Sequence, residues 1–318
     1  MAEPKEEIIL LPSGDVEEFI EKLLEAMKTK EIVFTPTGFG SWSPSKIKAL
    51  ACPLKYLLKN ILKATCQTLV SPDDPKYADQ FLSAIGTSAH TTLELMVQGK
   101  KYEEAHAVAK QKHLKDVTEA QWHRVEALEG NIRNFLIRIE RFGADNPIHE
   151  MHTELKFAFD QNWKPCSFFS KNAYFRGVID LPIILKNRDA LVFDHKHGGS
   201  AKYGIKHHTQ QLQSYAIAVV THYKDIKGVM PMIHFIQEGE VAKGEYASKE
   251  KILNEYTRNI DSSIHGSIDY LKEMGAFKHV RGSYCDYCEF RAICHGGARG
   301  TANALQPVVD KSKVFFKC

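Results

Sequence analysis

One stretch limits what this chain can become: Gly177 to Tyr215, reading GVIDLPIILKNRDALVFDHKHGGSAKYGIKHHTQQLQSY. An apolar, strand-like run carries Asp180, the KNRD turn reverses it, and a second apolar run, ALVF, delivers Asp194 and Lys196. Alternate residues of a strand point to one face, so Asp194 and Lys196 share a side. On antiparallel neighbours the two carboxylates converge at one end of a sheet. Two hard oxygen ligands suit Mg²⁺ or Mn²⁺. An ammonium beside such an ion steadies a phosphate or orients an attacking water. An Asp-x-Lys by itself says little, because strand ends commonly carry charges that merely face water. Gln211 and Tyr215, one helical turn apart in QLQSY, make the pattern more specific.

Composition sets the outer limits. The 318 residues, 43% hydrophobic and 25% charged, can bury a substantial core. A net charge of +3 gives no global polycation, so any nucleic-acid contact has to come from a local basic patch. The best one is the glycine-rich segment after Lys196, HGGSAKYGIKHH, with Lys202, Lys206, His207 and His208. It is not a P-loop: Gly199 and Gly204 have the spacing, but Ile205 stands where the lysine is required, and no ATP motor is expected. The start, MAEPKEE, is too charged for a signal peptide, and no apolar run approaches the roughly eighteen residues of a membrane span. With seven cysteines, the expectation is a reducing, cytoplasmic compartment, no membrane partner, and metal binding rather than disulfides.

Helical spacing of Val16, Phe19, Ile20, Leu23, Leu24 and Met27 predicts a packing helix from Ser13 to Lys28. Ser43-Pro44-Ser45 opens a second helix that Cys52-Pro53 interrupts, leaving the Cys52 sulfur at a break. A third carries GTSAHTTLE, which sets His90 and Glu94 on one face. From Val97 to Phe142 the chain reads as a charged helical insertion, whose Lys110, Lys112, Lys115, Arg133, Arg138 and Arg141 are mostly a solvated face. The alternating TELKFAFD, with Glu154 near its start, predicts a half-buried strand; with the two runs around Asp180 and Asp194 it makes three strands. The helix QQLQSYAIAVVTHY, the strand VMPMIHFIQ and a long amphipathic helix over 248–274 complete the order.

Near the end, Cys285, Cys288 and Cys294 have C-x2-C-x5-C spacing, which brings three thiolates within reach of one centre. A fourth must come from elsewhere: Cys52 is the best candidate, Cys66 the next, with Cys166 and Cys318 less persuasive. Tetrahedral Zn²⁺ and a 4Fe–4S cluster both accept four thiolates.

Together these residues resemble the PD-(D/E)XK nuclease superfamily, in its RecB-like and Cas4-like iron–sulfur exonuclease branch. The resemblance runs from about Ser43 to Cys294 and is weakest over 97–150. It rests on GTSAHTTLE, on GxxD and DxK, on QxxxY and on the cysteine triplet, although Ile179 stands where the family name has proline. It implies an α/β (α+β) fold: a restriction-endonuclease-like core with a central mixed β-sheet flanked by helices, a helical insertion and an Fe–S clasp. The expected divisions are 1–42, an N-terminal helix and loop; 43–80, the first part of the clasp; 81–150, the helical region with His90; 151–247, the nuclease core; and 248–318, a helix, the cysteine triplet and a tail. The resemblance further implies His90, Asp180 and Asp194 as ligands of Mg²⁺ or Mn²⁺, with the His195 carbonyl contributing. Lys196 then orients water or stabilises charge, and Gln211 and Tyr215 support the site or touch DNA. Cys52, Cys285, Cys288 and Cys294 are implied to hold a 4Fe–4S cluster. The implied activity is DNA cleavage, preferring single strands and exonucleolytic, in recombination, repair or CRISPR adaptation, beside a helicase, recombinase or integrase-like partner. Two rivals remain: a non-catalytic DNA-binding or assembly subunit that keeps fold and cluster, and a zinc-stabilised interaction protein.

Overall fold

In a computed structural model of the chain, alternation of apolar residues builds a mixed sheet around the Asp194 strand. The structure describes residues 8–10, 41–50, 52–61, 65–68, 82–113, 119–202, 205–273, 288 and 305–310. The chain divides into two units, one of Phe81–Ser262 and one of Met1–Gln80 with Ser263–Cys318.

Within Phe81–Ser262, four helices come first: α1 (Leu82–Val97), α2 (Tyr102–His113), α3 (Glu119–Glu126) and α4 (Glu129–Asp145). Five strands follow: β1 (Ile148–Met151), β2 (Leu155–Phe159), β3 (Phe175–Ile179), β4 (Leu181–Leu185) and β5 (Asp189–Lys196). Helix α5 (Thr209–His222) crosses over to β6 (Gly228–Phe235), and β7 (Glu240–Lys243) and β8 (Ala247–Ser248) complete the sheet. Its order is β8-β6-β5-β4-β1, with β7 also pairing β6. β5 and β6 run parallel, and β4 runs antiparallel to β5. β5 is central and buried from Ala190 to His195, as a strand covered on both faces must be. Its odd positions, Leu191 and Phe193, join Leu181, Ile183, Leu185 and Met232 in a core closed by Ala89 and Leu93 of α1 and Ile132, Phe135 and Ile139 of α4. Its even positions point the other way, where Asp194 meets α5.

Three sequence expectations change here. The run GVIDLPIIL is two strands that part at Asp180: β3 pairs with β2 in a separate two-stranded sheet, whereas β4 joins the main sheet. Pro182 has no N–H for a ladder, and the Asp180 carboxylate takes the His195 N–H in place of a strand bond. Five strands, not three, therefore lie between α4 and α5. The helix expected over 248–274 is a turn at Lys249–Lys251, a π-helical segment at Ile252–Tyr256 and a helix at Thr257–Glu273.

In the other unit, Ser43 caps the helix Pro44–Ala49, its hydroxyl accepting from the Lys46 N–H at 3.3 Å. The helix stops, and Pro53–Tyr56 restarts it, because Pro53 has no N–H to continue the ladder. A three-stranded antiparallel sheet sets Leu305–Asp310 between Ile8–Leu10 and Thr65–Thr68. The expected helix from Ser13 to Lys28, and Cys285 and Cys294, lie outside the described residues.

Candidate metal centre

The last ladder pair of β4 and β5 is Leu181 with Phe193, so Asp180 and Asp194 stand at the next position on each side. The strand ends thus bring the two carboxylates together. Asp194 is 1% exposed, and its Oδ1 accepts from Gln211 Nε2 at 2.8 Å and from Tyr215 Oη at 3.3 Å. Gln211 Nε2 also lies 2.7 Å from Tyr215 Oη, which ties the helical i,i+4 pair to one carboxylate oxygen. Asp194 Oδ2 is an ion-pair partner of Lys196, 2.6 Å from Nζ, but off the line of a hydrogen bond, so it accepts none. Asp180 Oδ2 accepts the His195 backbone N–H at 2.7 Å and lies 3.8 Å from His90 Nδ1. Burial first, and then the charge of Asp194, push the Asp180 carboxyl well above the ordinary carboxylate range. Burial and the neighbouring Lys196 push His90 down to about 4, which keeps its imidazole neutral at physiological pH. Burial likewise raises Tyr215, so its phenol stays a donor.

His195 points away from the carboxylates. Its Nδ1 lies 3.2 Å from Nδ1 of His234, its register partner on β6. Phe135 of α4 stacks on His234 with centroids 4.0 Å apart and meets His195 edge-on at 5.3 Å. Burial holds both imidazoles in the neutral form. Only the backbone of His195 is thus available to the carboxylate side. Glu94 accepts from Gln98 at 3.2 Å, and Glu154, at φ 51°, donates its backbone N–H to the Asp180 carbonyl. Lys202, Lys206 and His207 are exposed and His208 half-buried, on the connection between Lys196 and Gln211. Cys52 is buried and forms no disulfide, and Cys288 is half-buried.

Phe135 and His234 are contributors that sequence reasoning missed, and Gly86 was read there only as the start of GTSAHTTLE, without a role. A Cβ on Gly86 would lie 3.0 Å from Cβ of His197, just past the Asp-x-Lys, so the bare glycine lets α1 approach β5 closely enough to deliver His90. Glycine inside a helix costs about 1 kcal/mol relative to alanine, and that cost was the available signal. His234 was legible only through its register with His195.

The donor chemistry fits a hard divalent cation. Asp180 and Asp194 supply oxygens whose mutual repulsion a cation relieves, Oδ2 of Asp194 holds no hydrogen bond, and His90 keeps a neutral imidazole nearby. Among the described residues, no three His, Cys, Asp or Glu side chains close on one point. The Lys196 ammonium sits at Asp194.

A mixed sheet with a carboxylate pair and a lysine at the end of its central strand is the architecture of a restriction-endonuclease-like hydrolase core. The model of the PD-(D/E)XK nuclease superfamily matches residues 41–295, and the chain belongs to that superfamily. No curated protein matches the chain. It is similar to a solved structure titled "Crystal structure of SSO0001", at 15% identity and a TM-score of 0.30, over 69% of this chain and 86% of that one, a likeness too distant to bear on fold or function. Among the described residues, no helix is long and apolar enough to cross a membrane.

Proposed function

We propose that this chain is a DNA nuclease that hydrolyses phosphodiester bonds with Mg²⁺ or Mn²⁺, acting as an exonuclease that prefers single strands. One observation carries the reading: Asp180 and Asp194 face each other across β4 and β5, with His90 beside Asp180 and Lys196, Gln211 and Tyr215 on Asp194. Asp180 and Asp194 would hold the cation, with His90 and the His195 carbonyl as further donors. A divalent cation held there supplies Lewis acidity to a phosphoryl oxygen and acidity to bound water. Gln211 and Tyr215 fix Asp194 through Oδ1, which turns Oδ2 toward Lys196 and the ligand side. The His195 N–H holds Asp180 in the same way. Lys196 neutralises the carboxylates and faces the negative charge that grows on a phosphate under attack. Lys202, Lys206, His207 and His208 contact the backbone of the strand.

A 4Fe–4S cluster on Cys52, Cys285, Cys288 and Cys294 joins the chain ends as a structural clasp. In support, Cys52 lies at a helix break and the four positions fall in one unit. Recombination, repair or CRISPR adaptation, in a cytoplasmic complex with a helicase, recombinase or integrase-like partner, is the matching setting.

The test uses anaerobically purified protein, end-labelled single- and double-stranded DNA, and Mn²⁺, with Lys196→Ala beside wild type. Cleavage by wild type that the variant loses supports the reading, and the product ladder separates exonuclease from endonuclease action. If wild type with its cluster intact cleaves neither substrate, the chain is instead a non-catalytic DNA-binding or assembly subunit. Broad visible absorbance distinguishes iron–sulfur from zinc.

A further inference from the structure

The β2–β3 hairpin presents Phe169 to solvent, with Phe168 half-buried beside it. Ser170 N–H bonds the Ser167 carbonyl at 2.9 Å, so Ser167-Phe168-Phe169-Ser170 is a β-turn with phenylalanine at both corners. Turn corners ordinarily take Gly, Pro, Asn, Asp or Ser. Phe169 is 78% exposed, well above the 45% of Tyr246, the next large apolar residue among those described. The two rings meet edge-to-face at 5.2 Å. Lys156 Nζ lies 5.9 Å from each ring centre, and the Arg176 guanidinium lies 5.7 Å from Phe168.

The turn is built on a firm base. Asp160 Oδ1 accepts the N–H groups of Asn162 and Lys164 at 2.8 and 2.9 Å. Trp163 and Tyr174 both donate to Asp261, at 2.9 and 3.2 Å. Tyr174 N–H bonds the Phe159 carbonyl at 2.7 Å, and Cys166 N–H bonds the Ala158 carbonyl at 3.0 Å. The aromatic corners are thus held in place before any ligand arrives.

Charge selects the occupant. Between 155 and 176 the sequence carries Lys156, Lys164, Lys171 and Arg176 against Asp160, with Glu154 near Lys156 and Asp261 under Trp163 and Tyr174, so the hairpin keeps a modest excess of cations. Lys156 pairs in register with Val178, two residues from Asp180, so its end of the hairpin is about 7 Å along the strand from the carboxylate. The inward side of the hairpin faces the site as well: Phe157 meets Tyr215 edge-on at 6.2 Å. An exposed Phe169 ring with cations packed over it and its neighbour, beside a phosphodiester-cleaving centre, matches an unpaired base with its phosphate. A duplex keeps its base faces stacked inside and offers these rings nothing to stack on.

Resting on the nuclease reading above, we infer that Phe168 and Phe169, flanked by Lys156 and Arg176, form a stacking platform for the unpaired bases of single-stranded DNA entering the Asp180–Asp194 site. Base–aromatic stacking is worth about 1–3 kcal/mol per base, or roughly 5- to 150-fold in affinity. The test measures anisotropy of labelled oligo(dT) and of a blunt duplex in the presence of chelator, which prevents cleavage. Phe168→Ala/Phe169→Ala weakens oligo(dT) binding by about 10-fold or more and leaves duplex binding within about threefold. Lys156→Gln lowers the salt slope by about one. Phe169→Trp retains affinity, and its emission is quenched by oligo(dT). Unchanged oligo(dT) affinity in the double-alanine variant, or unquenched emission in Phe169→Trp, overturns the platform while leaving metal-dependent cleavage intact. Wild-type protein that binds neither DNA overturns the nuclease reading itself.

Discussion

At the residue scale the centre is a compromise between two carboxylates and their counter-charges. Burial and Asp194 raise Asp180 above its unfolded value. A raised carboxyl favours folding at pH below its ordinary 3.8, and that contribution is lost as pH climbs through the raised folded value. In chelator, therefore, wild-type stability falls across that window, whereas Asp180→Asn removes the dependence and melts higher at neutral pH. The scale is roughly 2–4 °C per kcal/mol for a chain of this size. Scanning calorimetry against pH checks it, and a lower melting point for Asp180→Asn would contradict the reading. Gln211→Ala leaves Asp194 Oδ1 with the Tyr215 bond alone and should lower cleavage by about 10–100-fold, as losses behind a metal ligand do. Tyr215→Phe, whose bond is the longer at 3.3 Å, should cost less. Single-turnover rates with Mn²⁺ separate the two. The sequence exposed Asp180, Asp194, Lys196, Gln211 and Tyr215, because strand alternation and helical spacing are local rules. His234 and Phe135 stayed hidden because cross-strand register and helix-on-sheet packing depend on residues far away in the chain.

At the element scale, α1 and β5 have to approach closely. Gly86→Ala adds a Cβ at 3.0 Å from that of His197 and pushes back the helix that carries His90. Alanine should regain up to about 1 kcal/mol of helix propensity, so the melting point changes little. Cleavage and Mn²⁺ affinity should fall about 10-fold, and a Mn²⁺ titration of the variant checks this. Phe135→Ala is a different case: it empties the layer over Phe193, His195 and His234 and should cost about 3–5 kcal/mol of stability, read in urea. The break at Asp180 was not legible in GVIDLPIIL, since an unbroken apolar run gives no sign of which sheet each half will join. Pro182 was the one local hint.

At the scale of the whole molecule, the proposed division of labour separates two kinds of damage. Cys285→Ser should bleach the protein and lower the first thermal transition, while Asp194→Ala abolishes cleavage and leaves the colour and the fold in place. Absorbance and calorimetry on the same samples test both. The three-stranded sheet of the terminal unit also fixes an order of events during synthesis. Phe81–Ser262 is one continuous stretch and can complete its own sheet as soon as it has emerged from the ribosome. Ile8–Leu10 and Thr65–Thr68 are made before the core but share a partner, Leu305–Asp310, that is made after it. Until Leu305–Asp310 is made, the two early strands thus present unpaired edges, open to other chains. Premature stops downstream of the core should yield a product with Asp180 and Asp194 already in place and an aggregation-prone end.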